Sequence, residues 1–410
     1  MDREPAHRVD VAVVGGGVTG LALALALKTA LGGRLRVALA DPALARPVRE
    51  DGRAFAIAAG PRRMLHALGV WDAVAETAQP INEMVVTDSR VSDPVRSAFL
   101  TFGGEVEPGE AFAHMVLHAT LLARLVEAAR AAGVVLLPEG VLSSRRDADG
   151  AALQLAGGGV LEAQLVAACD GARSRLREEA GIDTVSWAYR QSGIVATIGH
   201  ERDHEGRAEE HFLPSGPFAI LPLKGRRSSI VWSERSDAVP ALLALDDADL
   251  MAEIERRFGL KLGRLTLETR PAAYPLSFAV ARRFVERRLA LVGDAAHVIH
   301  PIAGQGLNMG LRDAAALAEA VADAAALGLD VGTGEVLERY ERERRFDTVL
   351  MGMVTDGLNR LFSNDWTPAR MARDVGLGIV DRLPGLKKLF IREAAGLVRD
   401  GSRLMRGERL

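Results

Sequence analysis

Short, uninterrupted apolar runs alternate with segments of helical period along this chain, the pattern of strands buried on both faces and crossed by helices. Val9–Val14, rich in β-branched residues, predicts a central parallel strand, and Leu21–Leu31 predicts a helix packed on the same sheet. That helix is too short to span a bilayer and is interrupted by Lys28. Leu35–Ala40, Leu165–Ala168 and Leu289–Val292 predict further buried strands, and Ile302 opens a segment that enters a long helix running through Leu327. Elsewhere the period falls to two, as in Ile194–Ile198 and Ser228–Ser233, which predicts strands of a second sheet; Gly157–Gly159 predicts a hairpin turn.

Composition narrows the classes without choosing among them. The 410 residues suit two or more domains, and a net charge of -3 carries no signature of nucleic-acid binding. The single cysteine, Cys169, excludes an intramolecular disulfide and fits a reducing compartment. With no second cysteine and only scattered histidines, no metal site is expected. The start, MDREPAHRVD, lacks the apolar core of a signal peptide, so a cytoplasmic location is expected, with any membrane contact made at the surface.

The chemistry lies at the ends of the buried strands. Val9–Val14 runs directly into Gly15, Gly17 and Gly20 in the spacing GxGxxG, with Val18 and Thr19 between the last two. The first glycine permits a tight turn, the second lets a pyrophosphate approach the backbone, and the third lets helix and strand pack closely. The phosphate then meets the positive end of the helix. Asp41 ends the next strand about 20 residues further on, where a carboxylate accepts ribose hydroxyls. This half alone does not separate FAD from NAD. A second stretch reads Asp170, Gly171, Ser174 and Arg177 in the form DGxxSxxR, and a third reads Gly293, Asp294, Ala295, Ala296 and His297, followed by Pro301.

Together the three stretches resemble the flavoprotein aromatic-ring hydroxylases of the para-hydroxybenzoate hydroxylase class, and the resemblance covers nearly the whole chain. It implies FAD as cofactor. Asp294 then accepts hydrogen bonds from the flavin ribityl chain, and Arg53, in DGRAFAI, neighbours the cofactor phosphates unless it serves as a surface salt bridge. In the run Ile302–Asp313, IAGQGLNMGLRD, Gly304 belongs to the loop, while Gly306, Leu307 and Asn308 match residues that meet the pyrimidine edge of the flavin. His118 stands where the class carries asparagine, glutamine or arginine facing the flavin; a helix-surface histidine is the alternative. His297 is expected to be structural rather than a base, and no catalytic residue is assigned.

The run HPIAGQGLNMGLRD and the segment from Leu361 onward are similar to the ubiquinone-biosynthesis hydroxylases in particular. The expected fold is α/β: a Rossmann-like FAD-binding domain (1–80, 106–180 and 284–335) with an inserted, mostly antiparallel β-sheet substrate domain (81–105 and 181–283). Residues 336–410 are expected to be helices broken near Pro368 and Pro384. The resemblance implies hydroxylation of a hydrophobic prenylated phenol by molecular oxygen through a flavin hydroperoxide. A soluble aromatic substrate and a non-catalytic scaffold within a biosynthetic complex are the competing readings. With one GxGxxG unit in the chain, NAD(P)H docks transiently or a protein donates the electrons.

From Trp366 to Leu410 ten Lys and Arg face five acids, a local charge of +5 interleaved with apolar residues such as Leu377, Ile379 and Phe390. Such a segment suits peripheral contact with an anionic membrane on its inner face, or else packs on the FAD domain or a second subunit.

Overall fold

The computed structural model describes residues 7–50, 52–91, 100–103, 105–363 and 401–410. His7–Val14 lies near the centre of the first sheet, with Val37–Ala40 parallel on one side and Val160–Ala168 parallel on the other. Val135–Leu137 extends the sheet beyond Val37–Ala40. The strand Val160–Ala168 serves two neighbours along its length. Its first half pairs antiparallel with Ala151–Leu155 across the expected glycine hairpin, and its second half pairs parallel with Leu289–Leu291. The three cofactor-motif strands therefore lie side by side with their carboxyl ends together, where a doubly wound sheet binds its ligand.

The helix after the glycine turn begins earlier than its apolar run suggests. It spans Val18–Thr29, with Gly17 at its amino-terminal cap, so Thr19 and Gly20 form its first turn. Ala30–Gly33 is a separate tight turn in which Leu31 and Gly32 take positive φ. The helix is apolar all round because it is enclosed all round: it packs on the sheet, on Gln305–Ala326 and on His118–Ala132. Likewise the run from Ile302 is not one helix, since Ile302–Gly304 is a short 3-10 turn and the helix proper is Gln305–Ala326.

The second sheet has nine strands. Its long strand Thr184–His200 pairs antiparallel with Arg227–Arg235 and Ala272–Ala281, placing Ile194 opposite Trp232. Glu83–Asp88 joins this sheet at Arg207–Leu213, and that pairing is parallel. A separate three-stranded sheet sets Ala113–Leu117 between Ala54–Ala58 and Gln79–Ile81.

The expected carboxyl-terminal helical region begins at Gly334. Gly334–Phe362 is one unbroken helix, and the expected breaks at Pro368 and Pro384 lie outside the described residues, as does most of the basic tail. The last ten residues return to the FAD-motif domain. Leu404 and Met405 are buried in its main core, and Arg403 pairs with Glu319 and Asp323 on the helix Gln305–Ala326. A truncation after Asn364 therefore removes core as well as basic charge, and it cannot isolate a membrane role for the tail. Leu404→Ala should destabilise the protein by about 2–4 kcal/mol, the usual result of emptying a buried leucine site. Denaturant unfolding at constant FAD measures this, and a loss below about 1 kcal/mol would show that the terminal residues merely rest on the surface.

Candidate functional site

The three motif stretches meet through close backbone approaches that only glycine permits. Gly15 holds φ +115°, and a Cβ there would run into the Cys169 carbonyl. A Cβ on Gly20 would collide with the Gly15 carbonyl, which is how the third glycine brings helix and turn together. Gly17 differs, for a Cβ there would meet nothing within 4 Å: it would point into open space at the start of the helix Val18–Thr29. That is the cradle a pyrophosphate requires. Val18 is buried within the same first turn.

Asp41 stands at the mouth of this cradle. Its carboxylate accepts from the backbone amides of Gly16 (2.5 Å) and Ala43 (2.6 Å), so it is held in place by the loops on either side. Gly16, not singled out by the GxGxxG spacing, is required here too, since a Cβ would lie 2.9 Å from the Asp41 Cβ.

The second stretch connects to the third. Ser174 caps its helix by accepting from the Arg177 amide (3.1 Å), and Arg177 donates to the Ala295 carbonyl (3.0 Å) inside the GDAAH run. Asp170 accepts from the Leu176 amide at 3.4 Å through one oxygen, while its other oxygen is buried with no partner. Such an orphaned acceptor beside the glycine loop is what a hydroxyl of a bound cofactor would satisfy.

Asp294 is exposed to solvent but crowded by protein. That burial pushes its carboxyl above the usual aspartate range; Asp313 adds to the shift and His297 opposes it. A carboxylate so placed gains from hydroxyl donors, as a ribityl chain supplies. The residues present thus fit FAD.

His297 is buried and its ring is tied into the fold. Its Nε2 donates to Asp313 at 2.5 Å, and the same carboxylate accepts from the Gly293 amide (3.0 Å) and from Arg344 Nε (2.8 Å). Burial alone would raise the Asp313 carboxyl, but His297 and Arg344 reverse this and hold it below the usual range. The network fixes the backbone that presents Asp294. The GLRD run contained Asp313 but gave it no role, and Arg344, in ERERR, carried no signal at all.

At the start of Gln305–Ala326, Gly304 is the cap at φ +62°, and a Cβ on Gly306 would meet nothing within 4 Å. Leu307 packs on the main core. Asn308 commits its side chain to the fold: its amide donates to the Ala56 and Gly304 carbonyls (2.8 and 3.0 Å), and its oxygen accepts from the Ala58 amide (2.9 Å). Gly310 lies against Thr19, and a Cβ there would come 2.7 Å from the Thr19 hydroxyl. The structure also brings together the two residues whose roles were open in the sequence. An Arg53 Nη lies 3.1 Å from His118 Nδ1, the His118 amide donates to the Arg53 carbonyl (2.9 Å), and Phe55 meets the histidine ring edge-on. A guanidinium donates to Nδ1 only when that nitrogen keeps its lone pair, so this contact requires neutral imidazole.

The family profile described as FAD binding domain matches residues 8–350. Among curated relatives, ubiquinone hydroxylase UbiL of Rhodospirillum rubrum is 44% identical over 97% of this chain and 92% of its own. The 3-demethoxyubiquinol 3-hydroxylase of Escherichia coli is 35% identical over 95% of this chain and 98% of its own. Among solved structures, p-nitrophenol 4-monooxygenase PnpA of Pseudomonas putida shares the fold, with TM-score 0.76 and 21% identity over 95% of this chain and 99% of that one. The class defined here is the FAD-dependent aromatic hydroxylases. Within it, this chain belongs to the ubiquinone hydroxylase family.

Asp294→Asn should weaken FAD binding by about 1.5–3 kcal/mol, the worth of a charged hydrogen bond, and Gly17→Val should weaken it further. The same Asp294→Asn change should stabilise the FAD-free protein near neutral pH. A carboxyl whose folded pKa is raised opposes folding once ionised, so the parent loses stability as pH rises through the window above the ordinary aspartate value. Flavin titration and apo-protein melting against pH check both signs. Arg344→Met should cost about 3–5 kcal/mol, because it leaves a buried carboxylate short of its counter-ion. Unfolding of the FAD-free variant within 1 kcal/mol of the parent would remove Arg344 from this account.

Proposed function

We propose that this enzyme hydroxylates the ring of a polyprenylated phenolic precursor of ubiquinone. The observation that carries the reading is the whole-length likeness to ubiquinone hydroxylases; beside the loop after Pro301 the chain closes with a packed apolar cluster. Phe212, Ile302 and Phe362 are buried together, with Val86 and Leu358 against them. They come from the second sheet, the loop and the last long helix, and Phe212 stacks on Phe362 with centroids 4.2 Å apart. The whole-length likeness to ubiquinone hydroxylases favours this substrate over a soluble aromatic compound, which the structural likeness alone would equally allow.

Bound FAD, once reduced, supplies the oxygen-activating chemistry. The chain supplies the rest. Open backbone at Gly17 receives the pyrophosphate, with Arg53 beside it, and Asp41 and Asp170 receive hydroxyls of the cofactor. Asp294 anchors the ribityl chain and so sets the position of the ring system behind it. The amides opening Gln305–Ala326, at Gly306 and Leu307, lie at the positive end of a helix and favour negative charge on the pyrimidine edge. The second sheet and the loop after Pro301 enclose the reacting ring and exclude water. Electrons arrive from a transiently docked NAD(P)H or from a protein donor. No helix among the described residues is long and apolar enough to cross a membrane; the enzyme meets its substrate at the inner face of the membrane, alone or within a biosynthetic complex.

The test is turnover of a short-chain prenylphenol under isotopically labelled dioxygen, with the FAD-loaded protein and a chemical or enzymatic reductant. The product should gain one labelled oxygen on the ring, and a deletion strain should accumulate the unhydroxylated precursor. Label incorporation only into unprenylated aromatics, or normal ubiquinone in the deletion strain, would overturn the assignment.

A further inference from the structure

The helix Gly334–Phe362 has two faces of opposite use. Its inner face buries Tyr340, Arg344, Thr348, Gly352, Thr355, Asn359 and Phe362. Gly352 abuts Phe278, which stacks on Trp187, and Trp187 donates to Asp356 at 3.1 Å. Leu358 and Phe362, at its far end, belong to the apolar cluster described above. The outer face should then be polar, as on an ordinary surface helix, but it is not. Phe346, Val349, Leu350, Met353, Val354 and Leu361 are all exposed, Phe346 at 72% and Met353 at 66%. They account for six of the fourteen large exposed apolar residues among the described residues, so the surface apolarity of the molecule is concentrated on one helix. The first five follow the spacing i, i+3, i+4, i+7, i+8, a stripe roughly 12 Å long at 1.5 Å per residue, and Leu361 lies on the same face about two turns further on.

The charges around the stripe have one sign. From residue 345 to 361 the exposed charged residues are Arg345 and Arg360, and Arg342 is exposed one turn earlier. The acids of this stretch, Asp347 and Asp356, are only partly exposed and already paired, with Arg344 and Arg360 respectively. An apolar stripe edged by arginines, with no exposed acid beside it, matches a bilayer surface with anionic headgroups. A second copy of the chain matches it less well: two-fold pairing through this face would set arginines against arginines, with no exposed acid in the stretch to receive them.

We propose that the outer face of this helix lies on an anionic lipid surface, through Phe346, Val349, Leu350, Met353, Val354 and Leu361, with Arg342, Arg345 and Arg360 toward the headgroups. The proposal rests on the prenylated-substrate reading, which explains why a lipid surface is of use. The same helix then joins the bilayer to the apolar cluster beside the loop after Pro301. The basic tail is not needed for this contact.

The test uses the full-length, FAD-loaded protein and vesicles of phosphatidylcholine with or without an equal part of phosphatidylglycerol. The parent should co-sediment with the phosphatidylglycerol vesicles, less with phosphatidylcholine alone, and less at high salt. Leu350→Glu with Met353→Glu should reduce that binding at least tenfold, leaving FAD content, melting temperature and turnover of a short-chain prenylphenol unchanged. Four results would each overturn the proposal: no vesicle binding by the parent, undiminished binding by the variant, a smaller sedimentation coefficient for the variant without vesicles, or a melting temperature several degrees lower. The third would assign the face to a second copy, and the fourth to residues 364–400 of the same chain. Should the double glutamate variant not fold, the same readings are taken on Leu350→Ser with Met353→Ser. Failure of the parent on the short-chain substrate would fall on the substrate reading alone, because vesicle binding is measured without turnover.

Discussion

The Asp313 carboxylate lies where three elements distant in sequence must be held together. One oxygen accepts from the Gly293 amide and His297, and the other accepts from Arg344 on the last long helix. Buried charges are costly unless paired and hydrogen-bonded, and this one is both. Its attraction is therefore also a positional constraint. Gly293 cannot shift without leaving a buried amide and a buried carboxylate short of a partner, and Asp294, the next residue, is fixed with it. The depressed Asp313 pKa makes this contribution complete above the ordinary aspartate range and lost only in strong acid.

Asp294 is held against its own preference. The surrounding protein disfavours its charge, which the hydroxyl donors of a cofactor would stabilise. The two aspartates differ by their surroundings. Asp313 has a cation and two further donors, while Asp294 has crowding, a neighbouring carboxylate and one opposing histidine. The first organises the fold and the second is the proposed flavin anchor. Breaking the first should disturb the second, since both act through the same short segment.

The last long helix extends this logic outward. Through Arg344 it braces the cofactor segment, through Leu358 and Phe362 it completes the apolar cluster, and its remaining face is apolar and open. One rigid element of 29 residues thus touches every layer of the function, from flavin anchor to molecular surface.

The local devices of this protein were legible in the order of its residues. Although Gly15 must also clear the distant Cys169 carbonyl, the turn and helix start that Gly15, Gly17 and Gly20 form after a buried strand are local. The same holds for the serine cap at Ser174 and the glycine hairpin at Gly157–Gly159. What the sequence could not show is where these devices meet. Arg177 reaches Ala295 across 118 residues, Asn308 reaches Ala58 across 250, and the final ten residues close over the core beside Glu319. Nothing in ERERR separates Arg344 from its neighbours, because only the packing of the helix decides which arginine faces inward. Nothing in FDTVLMGMV tells an inner apolar face from an outer one. The motif residues were determined by sequence alone because their chemistry is short-range; their partners, and the exposed stripe, were decided by tertiary structure because burial belongs to the folded chain and not to any one segment of it.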